Sequence, residues 1–142
     1  MKNYMIQFII MAIVGILFNP MNMLAYRFND LYLSLTLFYG GLLMASNMIW
    51  SHELVHYFSM GHFNSKIFMI GIILSGISVL LLRSQLLVND KEWLKRMISH
   101  HSTALTTTHK INKNTKNEKI KKLSNDIIKT QEEEITQMKS LL

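Results

Sequence analysis

Two stretches of this sequence gather side chains that could coordinate a metal ion. In the first, Met97 lies three residues before His100 and four before His101. Positions three and four apart are neighbours on a helix surface, so Met97 and His101 share one face. His100 is turned about 100° from the histidine beside it. Farther on, Gln131, Glu134 and Met138 recur at steps of three and four. Brought together across a helical hairpin or a dimer, these positions offer imidazole, thioether and carboxylate groups. Thioethers favour Cu(I) and the similar Ag(I), while imidazole accepts either copper state or zinc. The competing reading is structural: methionine fills irregular helical cores, and a buried histidine can simply bond to a carboxylate.

The second stretch is His52-Glu53-Leu54-Val55-His56. It fits the H-E-x-x-H pattern, in which histidines one turn apart hold zinc and the glutamate activates water. A zinc protease also needs a third ligand and a substrate cleft, and only His62 follows before the chain becomes apolar again. Met44, Met48, His52, His56 and Met60 step by four, a slowly turning stripe. A second soft-metal site from Met48, His52, His56 and His62 is therefore one reading. Lipid-facing methionines followed by interfacial histidines is the other. No nucleophile–base pair is evident elsewhere, and the expectation is a binding protein without catalytic turnover.

The elements that carry these residues differ sharply along the chain. Residues 4–26 are free of formal charge and long enough to cross the hydrocarbon as a helix. Asn19 and Pro20 interrupt them, which predicts a kink; a cleaved signal peptide is the alternative. Residues 31–51 form a second apolar stretch, in which Gly40, Gly41, Ala45 and Ser46 would let another helix approach closely. Its helical pattern extends through Met60 to Gly61. Residues 67–88 form a third, with Arg83 near its end. The expected organisation is thus a transmembrane section over 1–88 with three spans, followed by a helical domain over 89–142.

In that domain Asn89 with Glu92, and Thr115 with Glu118, fit capping boxes. They predict helices from about Asp90 to Lys110 and from about Thr115 to Lys139, joined by a short polar connection. Trp93 suits an interfacial anchor. Ile120, Leu123, Ile127, Gln131, Glu134, Met138 and Leu142 mark one helical face. A two-helix hairpin has little core of its own, so self-association into a four-helix bundle is expected, giving a homo-oligomer of an all-α protein.

The chain has 142 residues, a formal net charge of +6 and no cysteine. The length leaves no room for a membrane section plus a large soluble domain. Without cysteine there is no disulfide framework, thiolate metal site or thiol nucleophile. Most lysines follow Asn89, where they suit the wet faces of helices or contact with anionic lipid headgroups. Nucleic acid is not an expected partner: no aromatic interleaving, glycine-rich loop or zinc-finger spacing accompanies the charge. With three spans, the positive-inside rule puts the C-terminal helices in the cytoplasm.

Met97-Ile98-Ser99-His100-His101, then Ala104-Leu105, then Gln131, Glu134-Ile135 and Met138 resemble the DUF305 family. That family's signature is a methionine shortly before a double histidine, an alanine-rich helix, and a second helix with glutamine, glutamate–isoleucine and methionine. The likeness is strong over the last third of the chain; Arg83-Ser84-Gln85 and the upstream apolar stretches resemble a membrane-anchored branch. The resemblance implies a ferritin-like helical fold and a role in copper or silver sequestration, tolerance or delivery, mostly outside the cytoplasm. It implies Met97, His100, His101 and Met138 as ligands, with Glu134 a ligand or an acceptor behind them. Thr107 stands where the family often has a further methionine, and His109 where it has a small residue.

Overall fold

A computed structural model describes residues 2–142, with side chains from Asn3 onward. All of the regular structure among them is helical: α1 (Lys2–Leu17), α2 (Pro20–Met23), a single 3-10 turn (Phe28–Asp30), α3 (Leu35–Met60), α4 (Ser65–Ser84), α5 (Asp90–Asn114) and α6 (Glu118–Ser140). The chain forms two compact units, Met1–Phe18 with Leu35–Leu87, and Asn19–Ser34 with Val88–Leu142.

In the first unit, α3 packs against both α1 and α4. Glycines permit both approaches. A Cβ on Gly41 would stand 2.5 Å from the Ile16 side chain and 3.0 Å from the Ala12 carbonyl oxygen, and one on Gly71 would stand 2.8 Å from the Trp50 backbone nitrogen. Gly40, next to Gly41, faces open space. Gly61, at φ +67°, ends α3 in the left-handed conformation that glycine adopts without strain. Asn64 then caps α4 by accepting from the Ile67 N–H at 3.2 Å.

The stretches Asn3–Met23 and Ser65–Ser84 are long and apolar enough to cross a membrane, and little of either is buried inside the protein. Ile6, Ile9, Ile10 and Ile13 on α1 and Met69, Ile70 and Ile73 on α4 are all exposed. The third span expected over 31–51 is not among them. Its first four residues are not helical; they belong to the second unit, and the helix begins only at Leu35. The break after α1 has a local cause. Asn19 accepts from the Asn22 N–H at 3.0 Å, and Pro20 occupies the first turn of α2, so a new helix starts where α1 stops.

The second unit is the α5–α6 hairpin with residues 19–34 laid along it as a strap. Its core is Leu94, Ile98, Leu105, Ile135 and Met138, with Tyr32, Met97 and Ile128 packed against them. Asn89 caps α5 through the Glu92 N–H, as its spacing predicts. The cap of α6 is Asn117, which accepts from the Lys119 and Ile120 N–H groups; Thr115 instead ends α5. Near the turn, the Asn112 amide donates to Ser124 at 2.7 Å and Lys121 donates to the Asn112 carbonyl at 2.6 Å.

Candidate functional site

One polar seam of α5 faces the strap. Ser99, Ser102 and Thr103 fall at steps of three and four, which puts their hydroxyls along one side of the helix. Ser99 donates to the Asp30 carbonyl oxygen at 2.8 Å and accepts from the Tyr32 N–H at 3.2 Å. Ser102 donates to the Asp30 carboxylate at 2.7 Å and accepts from the Tyr26 and Arg27 N–H groups at 2.9 and 3.3 Å. Thr103 donates to the Met21 carbonyl oxygen at 2.8 Å. The strap holds only one short helix and a 3-10 turn, so these hydroxyls supply partners that its remaining backbone would otherwise lack. Asp30 is fully buried and is also paired with Lys139 of α6. Arg27 meets Glu132 at 3.2 Å, and Tyr26 stacks on His109 with ring centroids 4.7 Å apart.

The proposed soft-metal donors lie around the other edge of the hairpin. His101 Nδ1 is 2.9 Å from the Met97 carbonyl oxygen, and Nε2 is 2.8 Å from Glu134. A carbonyl oxygen only accepts, so Nδ1 carries a proton and donates. The remaining nitrogen faces the carboxylate. Met138 lies in the apolar core, Met97 packs against it, and His100 is exposed on the surface. The two histidine rings meet at an angle of 67°, with centroids 5.9 Å apart. Partial burial, then Arg96 and His101, hold the His100 imidazole below its ordinary pKa of 6.5. Gln131, one turn before Glu134, has a buried side-chain oxygen with no donor among the described residues. As folded, these side chains are held by hydrogen bonds and packing, and no group of three or more His, Cys, Asp or Glu among the described residues is placed to hold a metal ion.

The His52–His56 stretch sits near the end of α3. The two rings lie 4.3 Å apart between centroids. Glu53 turns inward and is buried, accepting from the Tyr4 hydroxyl at 2.7 Å and from the Asn64 N–H at 3.0 Å. Each carboxylate oxygen therefore already has a donor. His52 Nδ1 is 4.0 Å from Glu53 and has no hydrogen-bond partner among the described residues. Met48 is partly exposed, and His62 lies exposed beyond Gly61.

The spacing of the donor residues was legible, but Asp30, Lys139 and Tyr4 were not flagged by it. The hydroxyl spacing of Ser99, Ser102 and Thr103 was the one available signal for the strap. It says that a polar partner runs along α5 without saying which segment supplies it.

These features define an all-helical, membrane-associated protein: an apolar three-helix unit, and a polar hairpin clasped by a strap. Residues 81–142 match the family described as Domain of unknown function (DUF305). Over its full length the chain is 37% identical to a protein of Acanthamoeba polyphaga mimivirus described as "Uncharacterized protein L153", with 100% of this chain and 93% of that one covered. The chain belongs to the family of that mimivirus protein, and its C-terminal part is similar to the DUF305 domain. No solved structure matches it.

Proposed function

We propose that the chain is a membrane-anchored helical interaction module, in which the C-terminal hairpin works by presenting a binding face and not by tight metal coordination. The observation that carries this reading is the engagement of His101. One nitrogen is bonded to the Met97 carbonyl and the other to Glu134, while the Met138 side chain fills the core. The residues with ligand chemistry thus act as structural parts of the hairpin. Large apolar side chains of α5 and α6 stay exposed, among them Trp93, Ile111, Ile120 and Leu123. Apolar surface exposed in this way suits contact with another helical surface. The exposed isoleucines of α1 and α4 suit lipid, which supports the anchoring half of the proposal.

The soft-metal function implied by the family resemblance requires His101 to release Glu134 and a thioether to leave the core. Titration of the full chain with Cu(I) and Ag(I) against a chromophoric chelator separates the readings. Our reading expects weak binding that M97A, H101A and M138A leave unchanged. Tight binding lost in all three variants would restore the copper assignment. A photo-crosslinking residue placed at Leu123, with Lys129 on the outer face as control, tests the binding face in cells. Adducts at Leu123 alone are expected, and equal labelling at both positions would count against a defined face.

A further inference from the structure

We infer that the occupant of the open hairpin face is the same face of a second copy, docked in parallel so that α5 of each chain lies against α6 of the other. This rests on the interaction reading above and names its partner. On α5, Trp93, Met97, His100, Ala104 and Ile111 are spaced by four, three, four and seven, which puts them on a different side of the helix from Ser99, Ser102 and Thr103, with Ile111 beside Leu24 of the strap. On α6, Ile120, Leu123, Ile127, Thr130, Glu134, Gln137 and Leu141 alternate steps of three and four. Both series follow the spacing of a coiled-coil seam.

The register within the hairpin decides which arrangement fits. The His101–Glu134 and Asn112–Ser124 bonds place residues of the two helices at common levels. By that register, to within about one or two residues, Trp93 is level with Leu141, His100 with Glu134, Ala104 with Thr130, and Ile111 with Leu123. A two-fold axis running along the hairpin sets each of these residues opposite its level mate in the other chain. Large apolar groups then meet at both ends: Trp93 is 51% and Leu141 66% exposed in one chain, and Ile111 is 48% and Leu123 59% exposed. Between them, exposed His100 faces a Glu134 side chain that retains 46% exposure after bonding to its own His101. Small Ala104 leaves room at the middle level. An antiparallel pair would also bring apolar ends together, Trp93 and Leu141 meeting Ile111 and Leu123, but it would set His100 and Glu134 against Ala104 and Thr130, losing the polar match. Two hairpins joined in parallel make a four-helix bundle, and like ends meet, as suits two chains held in one bilayer by the residues before Asp90. The same arrangement brings Lys116 and Lys119 of both copies near one another, a repulsion that salt screens.

The chain contains no cysteine, so introduced thiols report without background. I111C and L123C are made as single variants of the full chain, co-produced, reconstituted in lipid nanodiscs and oxidised with diamide. A disulfide needs Cα atoms within about 7 Å, so it forms only between residues that directly oppose each other. The expected result is a covalent dimer several-fold more abundant in the I111C–L123C mixture than in either variant alone, and none with K129C. Two outcomes would overturn the parallel pair: no dimer in the mixture, or self-linking of each variant as strong as cross-linking. The photo-crosslink at Leu123 keeps the two proposals apart. An adduct of twice the chain mass supports both. Any other mass removes the second copy while the binding face stands, and no adduct removes both.

Discussion

Lys139, in the last turn of α6, donates to an Asp30 carboxylate that has no solvent exposure. The two residues are 109 positions apart in sequence, and with Ser102 they fasten the strap to both helices of the hairpin. Removing one member of a buried ion pair leaves the other charge without compensation. K139M is therefore expected to destabilise the second unit by about 3 kcal/mol. The D30N/K139M double variant should lose less than K139M alone, since no bare charge remains. Guanidinium unfolding in mild detergent, followed by circular dichroism, measures both. Equal stability of K139M and the parent chain would show that the pair contributes nothing.

His100 provides a pH response of known sign. Its imidazole titrates below the ordinary 6.5, through partial burial and then the charges of Arg96 and His101. On acidification the unfolded chain binds the proton first. This contribution to stability is complete above about pH 6.5 and declines as pH falls towards the folded-state midpoint. An NMR titration of the His100 ring in the unpaired chain should show the lowered midpoint, and R96Q should raise it; pairing, which sets Glu134 of a second copy against the ring, should raise it as well. A midpoint unmoved by R96Q would remove Arg96 as a cause.

Gly71 and Gly76 lie on one helix and should answer to alanine in opposite directions. A Cβ at Gly71 meets the Trp50 backbone, whereas one at Gly76 meets nothing within 4 Å. G71A is expected to cost about 1–3 kcal/mol by forcing α3 and α4 apart. G76A should be neutral or stabilising by up to about 1 kcal/mol, because alanine restricts the unfolded chain. Thermal unfolding of both variants in one detergent compares them, and similar melting temperatures would refute the packing argument.

Leu87 adopts a left-handed backbone conformation at φ 60° while 76% exposed, so its side chain gives up little packing if removed. The conformation costs a non-glycine residue about 1–2 kcal/mol. L87G recovers that strain, less the extra freedom of the unfolded glycine, for an expected net gain of about 0.5–1 kcal/mol. A fall in melting temperature would mean that the leucine side chain itself holds the turn.

Much of the helical plan could be read from the residues. Asn89 before Glu92 marked the start of α5, Gly61 the end of α3, and Met97-x-x-His100-His101 the family of the C-terminal part. The capping pattern at Thr115 predicts the start of α6 two residues early, because Thr115 and Asn117 are both competent caps and the end of α5 decides which is used. The apolar run predicts residues 31–34 as the start of a membrane span. Apolar character marks burial without naming what does the burying, and here Tyr32 packs on the core of the hairpin unit.

The sequence by itself determined the class: long uncharged runs that favour lipid, then two amphipathic helices with a recognisable pattern of histidine and methionine. Those properties are local, set by composition and by a period of 3.6 residues. Tertiary structure alone decided what the polar residues do. Asp30 and Glu53 are the two acids that precede Asn89, and nothing near either in sequence announces its role. Each is buried, held by donors that include Ser102 and Lys139 for the first and Tyr4 and Asn64 for the second. A buried carboxylate requires several donors at once, and only folding brings them from distant parts of the chain. The same holds for His101: its spacing makes it available to a metal, and the packing of α6 gives it Glu134.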